Sequence, residues 1–363
     1  MNLWINPEMI DEINKFMATD NGTIVKGLIA VYGVLRIHRN FRMQKKYYNK
    51  KQYIEIKEAP KTEEHESIIK KDRLKYMPHH EEIEEFADIL YKNFNGKDCN
   101  NFMKNLKNLY IKDGYFIRHA GVKIGGMYNV RDNEMVIGEN SDSIYHELFH
   151  MSSSKVDGAL CFSGFGVGCA ERKNKFKIGH GIDEGYTEYL AQKYCKTKMI
   201  KEEDGKKIGS YVYEVFVAGK IEKIVGEEKM KSLYLNADLN GLINELTKYN
   251  TREKTLNAIQ KLDFLNVYLY KPTTIVESIH VQKSANQVNE YLLESYLNKV
   301  SRKIKEEKEY SMNQLFDMAN FATELNCAPI FSVRGKYRPL SEAKTKKIID
   351  HYITTNLTDQ SNS

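Results

Sequence analysis

Residues 146–150 read His146-Glu147-Leu148-Phe149-His150, and Glu184 follows 34 positions after His150 in the run Gly181-Ile182-Asp183-Glu184-Gly185-Tyr186-Thr187-Glu188-Tyr189. Two histidines four apart on a helix lie on one side, about 5–6 Å between Cβ atoms, so both imidazoles can reach one metal ion. A ligand from Glu184 must then arrive on a second helix packed across the first. Three protein ligands plus water is the pattern of a catalytic zinc site, and a glutamate beside the first histidine is placed to work on that water.

The surrounding sequence agrees with this reading. In Ser143-Ile144-Tyr145-His146-Glu147-Leu148-Phe149-His150-Met151, the residues Ile144, Leu148 and Met151 share a face that should pack on a core, with the histidines on a neighbouring face. Ser141 or Asp142 can cap this helix. Glu184 and Glu188 are four apart, so one carboxylate can bind metal while the other holds the far nitrogen of a ligand imidazole. Glycine at 185 permits close packing between the Glu184 helix and the histidine helix. Glu171, Asp157 and His180 are rival third ligands. His79-His80-Glu81-Glu82 with Glu84 reads as an acidic helix start, because acids suit the positive end of the helix dipole.

The chain has 363 residues and a net charge of +6, with 41% hydrophobic and 29% charged residues, the balance of a globular protein. The basic excess is dispersed, so nucleic acid is not expected as a partner. Arg39 to Lys51 is the densest basic stretch and reads as a solvated helix end or linker. Five cysteines at irregular spacing, with no CxxC, suit reduced thiols. Ile24 to Ile37 is the most apolar stretch, too short for the ~20 residues a span needs. The N-terminus lacks a signal-peptide pattern. A cytoplasmic protein without stable membrane insertion is expected.

Organisation along the chain points to a predominantly helical α+β protein. Residues 1–100 read as an N-terminal helical region, with helices from Asn6-Pro7-Glu8 and over about 23–42, a charged linker at 58–78, and a helix over His79–Phe94. Residues 101–236 read as a catalytic domain. Its helix Asn100–Ile111 is followed by short β-type runs at 115–117, Gly126–Val130 and Glu134–Gly138, with a turn at Arg131-Asp132-Asn133. A glycine-rich irregular hairpin over 161–181 follows, then helices at 183–195, 205–225 and 227–234. Residues 237–363 read as a C-terminal helical region, with helices at 238–249, 252–269, 285–307, 312–325 and 340–353; 273–281 is ambiguous.

His146-Glu147-xx-His150 followed by Asp183-Glu184-Gly185-xx-Glu188 resembles the gluzincin metallopeptidases, the clan that includes thermolysin, zinc aminopeptidases and anthrax lethal factor. The resemblance covers roughly residues 105–235. It implies a small mixed sheet with the HExxH helix, zinc held by His146, His150 and Glu184, Glu147 as general base, and Glu188 as partner of a ligand histidine. It also implies that the strand upstream of the helix, here Glu134 to Gly138, pairs with an extended peptide substrate. Position 183 is Asp where the family commonly has Asn, and the step to Glu184 is lengthened by the glycine-rich insert. No motif assigns the group that steadies the oxyanion; His180, Tyr186, Tyr211 and Tyr213 are the candidates, with His180 just ahead of the Glu184 helix. The expected activity is zinc-dependent peptide hydrolysis. The alternatives are a regulatory peptidase with one intracellular protein target, and a non-catalytic zinc protein whose C-terminal helices, about 240–363, bind a protein partner.

Overall fold

The computed structural model describes residues 77–94, 96–113, 117–119, 122–138, 143–169, 177–195, 197, 200–203, 206–209, 211–269, 275–307 and 312–326, with short pieces up to 348. The helices expected before residue 58, the basic stretch Arg39–Lys51, the caps Ser141 and Asp142, and Glu171 lie outside the described residues. So does most of the 58–78 linker. The architecture is predominantly helical α+β. No helix among the described residues is long and apolar enough to cross a membrane, and no disulfide forms among them.

Two helices come first, α1 (His80–Asn93) and α2 (Asn100–Leu106). A three-stranded sheet follows, built from β1 (Tyr110–Asp113), β4 (Gly126–Asn129) and β5 (Glu134–Ile137). A separate hairpin of β2 (Ile117–His119) and β3 (Val122–Ile124) lies between β1 and β4 in sequence. The helix expected over Asn100–Ile111 therefore stops at Leu106, because Tyr110–Asp113 pairs in parallel with Glu134–Ile137 and buries Ile111. Propensity is a weak prior, and a ladder to a distant strand overrides it. The expected turn at 131–133 is present, with Asn133 in the left-handed region at φ 48°.

The strand order β1-β5-β4 corrects one expectation. Glu134–Ile137 is the inner strand, bonded on both sides, and has no edge to offer a substrate. The edge belongs to β4 among the described residues. Gly125 O accepts from Gly138 N at 2.8 Å, so strand alternation turns the peptide groups of Gly126 and Tyr128 outward.

Helix α3 (Ile144–Ser152) carries both histidines. Ile144, Leu148 and Met151 are fully buried, as the apolar spacing predicts, and Phe149 is buried with them. Phe86 of α1 meets the Phe149 ring edge-on at 4.7 Å. The helix ends on three serines rather than a glycine. Ser152 Oγ and Ser153 Oγ donate to Phe149 O at 2.8 and 2.9 Å, and Asn105 Nδ2 of α2 donates to Met151 O at 2.8 Å. Side chains thus supplement the backbone at the end of the helix, where Ser153 N also donates to Phe149 O at 3.2 Å.

The glycine-rich insert is more regular than a hairpin. It forms a four-stranded antiparallel sheet of β6 (Ser154–Asp157), β7 (Leu160–Ser163), β8 (Gly166–Cys169) and β9 (Lys177–Ile178). Helix α4 (His180–Cys195) then runs through the centre of the molecule, and every residue from Gly181 to Glu188 is buried.

After α4 comes a hairpin of β10 (Ile200–Glu203) and β11 (Lys206–Gly209), then α5 (Val212–Val225). The helix expected from 205 thus begins at 212. Glu203 pairs with Lys206, so the segment expected to open that helix is the second strand of a hairpin. Helices α6 (Glu227–Leu235), α7 (Leu239–Leu246), α8 (Arg252–Tyr268), α9 (Ile275–Glu307) and α10 (Met312–Asn326) follow. The ambiguous segment is helical from Ile275, which lengthens the helix expected at 285. Buried apolar side chains from Ile83 to Ala328 form one continuous core, in which α8 packs on α4 and α9 on α5.

Candidate metal centre

Three donor atoms from two helices converge. His146 Nε2 and His150 Nε2 are 3.1 Å apart, and Glu184 Oε2 lies 3.3 Å from the first and 3.5 Å from the second. Donors held tetrahedrally at ~2.0–2.1 Å from an ion stand about 3.3 Å from one another, so the spacing fits a metal. All three residues are buried, and they form the one group of three or more such ligands among the described residues. His79, by contrast, pairs with Asp113 at 2.8 Å and Glu82 at 3.4 Å.

The outer sides of the ligands are also held. His146 Nδ1 lies 2.9 Å from Glu188 Oε2. An ionised carboxylate can only accept, so Nδ1 carries the proton and the Nε2 lone pair faces the centre. Glu188 Oε1 in turn accepts from Gln192 Nε2 at 2.7 Å. His150 Nδ1 lies 2.9 Å from Ser163 Oγ of β7 and 3.5 Å from Asp183 Oδ2. Neither Ser163 nor Asp183 stands out in the sequence as a partner of His150. The insert sheet brings Ser163 there, and a positioned helix turn brings Asp183.

Electrostatics point the same way. Burial alone would depress the pKa of His146, yet Glu184, Glu188 and Glu147 hold it well above the ordinary histidine range. Burial likewise opposes charge on His150, and Asp183 and Glu184 outweigh it. Glu184 is held well below the usual carboxylate range: burial would raise it, but the imidazoles of His150 and His146 outweigh that. Buried carboxylates without compensating charge are costly. A cation held between the two imidazoles and Glu184 would supply that charge.

Glu147 is buried on the same helix, and burial raises its carboxyl against the pull of both histidines. It accepts the backbone N–H of Tyr128 on β4. The strand comes so close that a Cβ on Gly126 would stand 2.9 Å from Glu147 Cγ and 3.1 Å from its Oε1.

The four oxyanion candidates separate clearly. Tyr213 donates to Asn289 Oδ1 at 2.9 Å and Tyr186 to Glu222 Oε2 at 2.7 Å, so both serve the core away from the ligands. Tyr211 stacks on His146 with ring centroids 5.7 Å apart and planes 10° from parallel, and its hydroxyl bonds Glu184. Burial and the Glu184 and Glu147 carboxylates push that hydroxyl well above the ordinary tyrosine range. Tyr211 sits at φ 60°, a costly conformation for a side chain of this size. His180 Nε2 lies 3.4 Å from Glu184 Oε1 in the first turn of α4, and burial together with the Lys177 ammonium keeps it neutral.

Gly185 acts against a helix other than the one expected. A Cβ there would meet Glu214 O at 2.4 Å, so the glycine lets α4 rest on α5 rather than on α3. A Gly185→Ala chain should lose about 1–3 kcal/mol of stability, the usual cost of forcing atoms into a packed interior. Urea denaturation checks this; an unchanged midpoint would mean that the helix contact yields freely.

Comparisons with protein families, with curated proteins and with solved structures each find no match.

Proposed function

We propose that the chain is a zinc-dependent peptidase whose metal is held by His146, His150 and Glu184 and whose general base is Glu147. The observation that carries the reading is the convergence of two imidazole nitrogens and one carboxylate oxygen at 3.1–3.5 Å, beside a second buried carboxylate, Glu147, that is not among them. A site whose purpose is to hold the fold together closes its fourth position with a ligand and has no use for a base. When bound, zinc supplies a water acidified to a pKa of about 7 and an electrophile for a carbonyl oxygen.

The chain's own residues would divide the remaining work. Glu147 takes a proton from the attacking water and passes it to the leaving amine. Its raised carboxyl pKa suits it to hold that proton in passing. Tyr211 and His180 each approach an oxygen of Glu184 and are the donors we assign to a developing oxyanion. The outward peptide groups of Gly126 on the β4 edge would pair with an extended peptide, lying next to Glu147 by virtue of the missing Cβ.

The test is turnover of a mixed-sequence peptide library by the purified, zinc-loaded full chain, with and without 1,10-phenanthroline. The expected result is cleavage that the chelator abolishes and added zinc restores. Zinc-loaded protein that cleaves no library peptide would remove the general-peptidase reading, and a search for one protein target would then separate a regulatory peptidase from a non-catalytic zinc protein.

A further inference from the structure

Helix α4 begins without a local cap. The segment Ile178-Gly179-His180-Gly181, which leads into and opens the helix, has no Ser, Thr, Asp or Asn to accept the open N–H groups of a first turn. The acceptor comes from α8 instead. Asp263 Oδ2 accepts from Gly179 N at 2.9 Å and Asp263 Oδ1 from Gly181 N at 2.8 Å. The backbone N–H of His180 bonds the same carboxylate. One side chain, 84 residues beyond Gly179, thus gathers three successive amides at the positive end of the helix dipole.

The backbone is shaped for this clasp. A Cβ on Gly181 would stand 2.6 Å from Leu262 O, so α8 lies directly on the first turn of α4. Gly179 is at φ 75°, and a Cβ there would meet Phe165 O at 2.2 Å. The first turn of α4 is therefore held between the insert sheet and α8.

We propose that Asp263 is a positioning residue for the metal centre: by fixing the first turn of α4 it sets where Glu184 stands relative to the two histidines. This rests on the metal-site reading above. Glu184 follows Gly181 by three residues, less than one helical turn, so a shift or fraying of that turn moves its carboxylate directly. The histidines do not share the shift, because α3 is tied to α1 and α2 through Phe149 and Asn105. The two halves of the ligand set are carried by separate helices, and Asp263 joins one of them to the C-terminal helices.

The experiment compares full-length Asp263→Ala, Asp263→Asn and Leu265→Ala. Leu265 is a fully buried residue of the same helix that makes none of these bonds. Three quantities are read: zinc affinity by competition with a chromophoric chelator, the visible spectrum of the cobalt-substituted protein, and amide hydrogen exchange over 179–184 in metal-free protein. Asp263→Ala should weaken zinc binding about 10- to 100-fold, the size of effect that supporting partners of metal ligands produce. It should also alter the cobalt spectrum and speed exchange in the first turn. Asp263→Asn, which keeps one acceptor oxygen, should recover part of the affinity. Leu265→Ala should lower the melting temperature and leave zinc affinity within about threefold of the unmodified chain.

Asp263→Ala protein that binds zinc within about threefold of the unmodified chain, with an unchanged cobalt spectrum, overturns the positioning role alone. An equal loss of affinity in Asp263→Ala and Leu265→Ala overturns it too, since general loosening would then explain both. An unmodified chain that takes up no zinc or cobalt overturns the metal reading and this inference together.

Discussion

A Glu184→Ala chain is expected to bind zinc roughly 10²–10³-fold more weakly than the unmodified chain. Tight protein sites hold zinc with an apparent 10–16 kcal/mol shared over about four ligands, or roughly 2.5–4 kcal/mol each, and each 1.4 kcal/mol is about a factor of ten. The loss should be clean because His146 and His150 keep their supports in Glu188 and Ser163, which do not touch Glu184 through the substituted atoms. Zinc per chain after dialysis against a weak chelator is the measurement. About one zinc in the unmodified chain and little in the variant is the expected result. Zinc retained undiminished by the variant would move the third ligand elsewhere, with Glu171 the first residue to substitute next.

Glu147→Gln should separate metal from chemistry. The amide fills the same space and can still accept the Tyr128 N–H, but it cannot take a proton. General-base catalysis is worth about 10²–10⁴-fold, so turnover of any peptide substrate should fall by that order while zinc affinity stays close to that of the unmodified chain. Removing a buried carboxylate also removes a desolvation cost, so the variant should melt no lower than the parent. Full activity in Glu147→Gln would dismiss Glu147 as the base. Loss of zinc along with activity would instead make the glutamate a ligand, against the geometry in which only Glu184 joins the histidines.

What the sequence by itself determined is whatever depends on local period. The spacing of Ile144, Leu148 and Met151 fixed the buried face of the histidine helix, and with it the direction of His146 and His150. The four-residue step between Glu184 and Glu188 put both carboxylates on the side of α4 that faces His146. Helix α4 itself was marked by its motif, not by amphipathicity: Asp183, Glu184, Thr187 and Glu188 are buried on a helix enclosed on several sides, so no polar face exists to be recognised.

Tertiary structure decided what distant segments do to one another. Tyr110–Asp113 became a strand because Glu134–Ile137 offered it a ladder, and that same pairing took the inner strand out of reach of a substrate and left β4 as the edge. Ser163 and Asp263 acquired their contacts with His150 and the first turn of α4 through packing between elements 13 and 84 residues apart. Tyr211 was placed on His146 by a left-handed backbone turn that its own side chain does not favour. Local periodicity encodes which side of an element carries a ligand. Which groups support that ligand depends on where other elements come to rest, and that is set by burying one continuous core from Ile83 to Ala328.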